Sequence, residues 1–382
     1  MSEYQYYEFR SIDCPLTSEE IAKLRAISSR ARISATSFVN VYNYGDFRGD
    51  PEALVEKYFD AFLYVANWGT HHLILRLPKK AFGGQECAPF CVGDNVRVWH
   101  KGEYTILSFR ADELQSDWED EGEDWMDALL PIRADLLRGD LRSLYLGWLL
   151  AVQFEMVDDD EPEPPLPPGL RDLSEPLYSL TQFLDIDEDL LDVAAELSAD
   201  LDLSGSSKHM LSRWISSLPE EEKNIVLFQA ASEQDPYAIA GLTRRFQREV
   251  LDAAANPPSV SRTAGELRAA AERRTKERER REEELRRLDR EREEKTRAAE
   301  RAKHLDALEM READSWGSLD RLIETKRPND YDRAVTLLVD LRDLAARKDC
   351  SAIFQERILD LRARHAGKSS LLRKLKEAGL DQ

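Results

Sequence analysis

The chain has 382 residues, of which 42% are apolar and 34% charged, and its formal net charge is −20; the length predicts two or three domains with enough apolar material for real cores. No run approaches the roughly 20 uncharged apolar residues of a membrane helix, and "MSEYQYYEF" lacks the basic start and apolar middle of a signal peptide, so no membrane association and a cytoplasmic location are expected. Four cysteines, Cys14, Cys87, Cys91 and Cys350, are few for this length and fit reduced thiols better than a disulfide framework.

Residues 1–112 read as an α+β domain. "YQYYEFRSI", "SFVNVYNY", "HHLILRLP", "NVRVWHKG" and "YTILSFRA" carry the aromatic and β-branched content of strands, with a turn at Lys101-Gly102. They predict a mixed sheet with helices on one face. "LTSEEIAKLRAISSR" reads as a helix capped by Thr17 or Ser18, with Glu19 and Glu20 in the favourable first turn. "DPEALVEKYFDAFLYVANWG" reads as one helix, opened by Asp50 and Pro51 and stopped at Gly69.

Residues 113–156 combine an acidic loop with helices packing on the first domain. The acidic run 117–127 lacks the ligand spacing of an EF-hand, so a solvated loop is the default. Trp118 and Trp125 lie among its acids and are candidate contacts for a basic partner. The segment 157–170, "VDDDEPEPPLPPGL", sets five prolines among acids and predicts an extended linker. Residues 171–256 form a helical domain of short pieces broken at "SGSS", "SLPEEEKN" and "SEQDP".

A long charged helix is expected over residues 260–315, opened by a capping box of Thr263 and Glu266. From residue 272 to 284 it has no apolar a or d position, so a sustained coiled-coil seam is missing. Acids instead precede bases by four: Glu272 with Lys276, Glu277 with Arg281, Glu282 with Arg286, Glu283 with Arg287, Glu291 with Lys295 and Glu293 with Arg297. Each such pair contributes about 0.2 to 0.5 kcal/mol, which predicts a lone solvated helix, and some 50 helical residues reach on the order of 75 Å. The alternative is a homodimer paired as a coiled coil through Leu285, Leu288, Ala299 and Ala302.

Residues 316–382 predict a helical hairpin of the tetratricopeptide kind, with helices near 331–348 and 352–365. Its apolar face, with Tyr331, Leu337 and Leu341 as candidate contacts, needs either the preceding helix or another protein to cover it.

"SRTAGELRAAAERR", "YDRAVTLLVDLRDLAARKD" and "FQERILDLRARHAGKSSLLRKLKEAGL", with "LSRWISSLPEEEKN" before them, resemble the C-terminal helical region of bacterial SWIM zinc-finger proteins over roughly the last 170 residues. The SWIM motif itself, a C-x-C followed by C-x-H, is absent, so zinc and DNA binding do not carry over. "YQYYEFRSID", "YFDAFLYVANWGT" and "LYLGWLLAVQ" are similar to N-terminal regions of bacterial proteins without an assigned activity. The resemblance implies a bacterial cytoplasmic setting and supplies no catalytic residue.

Chemistry-bearing constellations are sparse. His71, Cys87, Cys91 and His100 are weak metal candidates: the Cys spacing is not C-x-x-C, and the adjacent His71 and His72 should face opposite sides of a strand. There is no G-x-S-x-G elbow, P-loop, G-x-G-x-x-G after a strand or H-E-x-x-H, and "HAGKSS" lacks the first glycine and preceding strand of a phosphate loop. No catalytic residue, cofactor or metal is therefore assigned. Residues 261–303 hold 16 basic and 12 acidic side chains, net +4, and residues 304–382 hold 15 of each, so the total of −20 leaves −24 for residues 1–260. An acidic front half disfavours a phosphate backbone as its ligand. The reading is a non-enzymatic scaffold or adaptor with a protein partner. The alternatives are a nucleic-acid-associated accessory protein using the basic helix, and an enzyme with an unrecognised site in the N-terminal domain.

Overall fold

The computed structural model describes residues 3–114, 122–200, 205–232, 237–246, 249–250 and 262–380. The chain divides into two compact units, Met1–Glu277 and Arg278–Gln382. The architecture is α+β, with a sheet near the N-terminus and helices thereafter. Among the described residues, no helix is long and apolar enough to cross a membrane.

In the first unit, β1 (Gln5–Arg10), β2 (Arg32–Ile33), β3 (Ser37–Tyr42), β4 (Ala61–Ala66), β5 (Thr70–Pro78), β6 (Val96–Lys101) and β7 (Tyr104–Ala111) form a seven-stranded sheet in the order β2-β3-β1-β4-β5-β7-β6. All described pairings are antiparallel, not mixed as the sequence suggested. Phe9, Phe38, Phe62 and Ile74 point to one face, where α1 (Ser18–Ile27) contributes Leu24 and α2 (Pro51–Lys57) contributes Leu54 and Val55. Leu63, Val65, Leu73, Leu75 and Phe109 point to the other. That face is covered by α3 (Trp125–Leu129), α4 (Pro131–Arg138), α5 (Arg142–Gln153), α6 (Glu175–Phe183) and α7 (Glu188–Ala195). Burying a large apolar side chain contributes about 1.5 to 3 kcal/mol, so both faces of the sheet are strongly held. Gly147 lets α5 approach closely, since a Cβ there would lie 2.4 Å from Val96 Cγ2.

The single helix expected from Asp50 to Gly69 is two elements. Asp50 caps α2 by accepting from the Ala53 N–H, and the helix ends at Lys57; Ala61–Ala66 is then β4. This strand is the middle one of seven, so Ala61, Leu63 and Val65 are buried on one side and Phe62 on the other. Burial on both faces erases polar alternation and leaves an apolar run that looks the same as a buried helix. The helix α1, by contrast, starts where its local chemistry places it, with Thr17 and Glu20 forming a capping box.

The proline-rich acidic segment is extended, but it is docked instead of bridging open solvent. Val157 and Leu170 are buried in the main core, Pro162 bridges Thr263, and the Glu163 N–H donates to the Arg262 carbonyl at 2.8 Å. It caps the next helix, α11 (Ala264–Glu309), as its first N–H groups need partners from outside the helix. Ala264 donates to the Glu161 carbonyl at 3.0 Å, Gly265 to that of Asp159 at 3.1 Å, and Glu266 to Thr263 Oγ1 at 3.3 Å. Gly265 is required by the same contact, because a Cβ there would sit 2.9 Å from Asp159 Cβ. Ala264, Leu267 and Ala271 are buried in the core of this unit, whereas residues 276–300 are exposed around the helix, with Glu282 alone half-buried. Ion pairs run along that stretch, including Lys276 with Glu272 at 2.5 Å, Arg286 with Glu282 at 3.4 Å and Arg287 with Glu291 at 3.5 Å.

In the second unit, the end of α11 supplies Leu305 and Leu308 to a core with α12 (Glu312–Glu324), α13 (Pro328–Arg347), α14 (Ser351–Arg364) and α15 (Ser369–Glu377). Helix α13 lies against α12, α14 and α15. Tyr331, Leu338, Leu341 and Leu344 face inward to meet Leu319, Ile323, Phe354, Ile358, Leu371 and Leu375. Arg301 and His304 both reach Asp340, with His304 Nε2 at 2.7 Å.

Candidate interaction surface

Of the histidines and cysteines first considered for metal binding, His71, Cys87 and Cys91 lie on the face of the sheet covered by α3–α7, and His72 on the other. His71 stacks on Phe183 with ring centroids 4.8 Å apart and its Nδ1 is 2.6 Å from the Phe183 carbonyl oxygen. His72 lies on the opposite face, its Nε2 2.8 Å from Ser108 Oγ and its ring edge-on to Phe62. Cys87 is buried in the short 3-10 helix Gln85–Phe90, and burial pushes its thiol up to about 12. Cys91 is half-buried, its thiol is also raised by burial, and its Sγ donates to the Cys87 carbonyl at 3.2 Å. His100 is exposed on β6 beside Thr105. Among the described residues, no group of three or more His, Cys, Asp or Glu side chains is placed to hold a metal ion.

The partner-contact candidates fare differently from the sequence expectation. Trp118 lies outside the described residues, while Trp125 packs on the core with its ring 5.4 Å from that of Phe183. Tyr331 and Leu341 are buried and Leu337 is partly buried, because α12 and the flanking helices cover the hairpin face. None of these three offers a free contact face; the preceding helix already satisfies the hairpin.

A different surface emerges from α8 (Gly205–Ser217), α9 (Glu220–Ala231) and α10 (Ala238–Phe246). Helix α10 is fastened to the sheet side by polar anchors. Arg244 pairs with Glu86 at 2.6 Å and lies over the Phe82 ring at 4.5 Å. Tyr237, just before α10, sits 3.4 Å from Arg133 Nη2, which also meets Asp13 at 2.6 Å. Burial and the Asp13 carboxylate push the Tyr237 phenol up to about 12. Behind them Asp60 accepts from Arg76 Nη2 at 2.9 Å and from the backbone N–H groups of Ile12 and Asp13 at 2.7 and 2.9 Å. These charges are mutually paired, as buried charges must be, so the cluster fixes α4 and α10 on the end of the sheet.

Helix α9 rests on this anchored helix in an inverted sense. Its half-buried side holds Glu222, Lys223, Val226, Gln229 and Ala230; Glu222 pairs with Arg245 of α10, and Lys223 Nζ donates to the Ser216 carbonyl at 3.3 Å. Its outward side holds Glu221, Asn224, Ile225, Leu227 and Phe228, and the last three are 50%, 62% and 63% exposed. No residue of α9 is buried. Ile225 and Phe228 are three apart and adjoin on the helix surface, with Leu227 about 100° round from Phe228 at the edge of the same exposed side. Scattered exposed apolar residues are ordinary, but three together on a helix whose Glu222 and Lys223 are engaged on its other side mark a contact face. The run "EEEKNIVLF" holds the signal: four consecutive apolar residues, of which the helical wheel places Phe228 opposite Val226 and Ile225 and Leu227 to either side.

No family model matches this chain, and comparison with curated proteins and with solved structures found no match.

Proposed function

We propose that the chain is a non-enzymatic adaptor that binds protein partners in a bacterial cytoplasm. The observation that carries this reading is the organisation around α11. Two units with separate hydrophobic cores are joined by one helix whose residues 276–300 bury almost nothing. A segment held by its own side-chain ion pairs costs little to maintain without a core and serves connection, not chemistry. The exposed stripe on α9 adds a surface suited to protein contact. Four free cysteines fit a reducing compartment, and the resemblance to SWIM zinc-finger proteins adds the bacterial setting.

The test is affinity capture from the native host with the full chain as bait, with and without nuclease, read by quantitative mass spectrometry. The adaptor reading expects one protein recovered in near-stoichiometric amount and retained after nuclease treatment. Partners that all leave with the nuclease would overturn it in favour of a nucleic-acid-associated role.

A further inference from the structure

We propose that the outward stripe of α9, Ile225, Leu227 and Phe228, is the docking face for a basic amphipathic helix of a partner protein. The inference rests on the adaptor reading and names the partner chemistry. Three observations lead to it. The stripe is apolar and exposed, whereas the other side of α9 is engaged through Glu222 with Arg245 and Lys223 with Ser216. Glu222 and Lys223 are committed to that interior contact, so rotating α9 to hide the stripe would break the Glu222–Arg245 pair. The stripe is thus held outward by its neighbours.

Charge then selects the occupant. Glu220 and Glu221 are exposed in the first turn of α9, and Glu221 lies four residues before Ile225 and seven before Phe228, on the same outward side. Residues 1–260 as a whole carry a net −24, as the charge count above gives. A second copy laid parallel on the same face would bring Glu220 and Glu221 against their equivalents, which like-charge repulsion opposes, and laid antiparallel it would offer them no base from the outward side of α9. A helix with apolar residues at i, i+3, i+4 and i+7, flanked by Lys or Arg, satisfies both the stripe and the acids. This is the helix-on-face mode of peptide recognition.

Two synthetic probes with the same leucine pattern test this by fluorescence anisotropy with the full-length protein, one with lysine and the other with glutamate at every polar position. The lysine helix is expected to bind, and the glutamate helix is not. Leu227→Ser with Phe228→Ser should weaken the lysine helix by about tenfold or more, as for central apolar anchors. Glu220→Lys with Glu221→Lys should weaken it too and let the glutamate helix bind. Because the substituted side chains are exposed, the variants should keep the circular dichroism and urea midpoint of the parent protein. Equal binding of the lysine helix to parent and serine variant would overturn the proposal, since the attraction would then be diffuse charge alone. So would a dimer in sedimentation that the serine variant abolishes, which would make a second copy the occupant. If the lysine helix fails while host capture still returns a partner from the serine variant, the docking face is wrong and the adaptor reading stands. If capture is empty as well, both fall.

Discussion

Arg262 grips Glu163 in a two-point ion pair, with Nε 2.8 Å from Oε2 and Nη2 2.9 Å from Oε1. The Tyr145 hydroxyl donates to the same carboxylate, and Arg262 also donates to the Val193 carbonyl at 2.8 Å. One carboxylate of the proline-rich segment thereby joins α5, α7 and the approach to α11. Removing one partner of a fully buried pair leaves the other charge uncompensated, at about 3 to 5 kcal/mol, which is an upper bound for this half-buried pair. Glu163→Gln and Arg262→Leu should each lower unfolding free energy by up to this amount, and the double variant by less than their sum. Urea denaturation of the two single variants and the double variant checks this, and additive losses would show that the pair does not act as a unit.

His72 sets a pH dependence. Burial, with the Arg110 guanidinium adding to it, holds its imidazole down to about 3 in the folded chain, while an unfolded histidine titrates near 6.5. The unfolded state therefore takes up a proton below pH 6.5 that the folded state refuses. Stability from this group is complete above 6.5 and drains as pH falls towards about 3, with a slope of at most about 1.4 kcal/mol per pH unit. His72→Gln can keep the contact to Ser108 without titrating. The difference in unfolding free energy between parent and variant should shift in favour of the variant as pH drops from 6.5 to 4, and a difference independent of pH would show that His72 is not the group responsible.

Much of this architecture could be read locally and some of it could not. The capping box Thr263–Glu266 depends on residues three apart and appears where the sequence placed it, and of the two caps the sequence offered for α1 it is Thr17 that caps, in a box with Glu20. Strands β1, β3, β5, β6 and β7 likewise carry their own β-branched and aromatic signal. Strand β4 was hidden because its neighbours on both faces, not its own alternation, make it a strand. The role of Glu163 was hidden for a related reason: its partner is 99 residues away in the chain. The face of α9 was missed because apolar residues in a helix read as core unless the neighbouring helix is known, and the Glu222–Arg245 pair that turns them outward joins two helices.

The second unit offers a test of its separate core. Leu338 is fully buried on α13 among side chains of the second core. Leu338→Ala should remove about 2 to 5 kcal/mol from that unit. Followed by calorimetry of the full chain, the substitution should lower the transition belonging to the helical second unit and leave the one belonging to the sheet-containing unit in place. A uniform shift of a single transition would mean that the two cores unfold as one.

Leu285 and Leu288 decide whether α11 works alone. They are 61% and 47% exposed, and the helix around them carries its own ion pairs. Each exposed pair is worth only a few tenths of a kcal/mol and is screened as the Debye length falls from about 10 Å at 0.1 M salt to about 3 Å at 1 M. A peptide of residues 263–310 should therefore be helical to a degree that does not depend on its concentration and that declines modestly with salt. A coiled coil would behave otherwise, because association couples helicity to concentration and the two leucines would supply the main apolar contact of its seam. Leu285→Glu with Leu288→Glu should accordingly leave the sedimentation of the full-length protein unchanged. If the parent protein sediments as a dimer and the double variant as a monomer, α11 exists to pair two chains, and its role as a lone connecting helix is wrong.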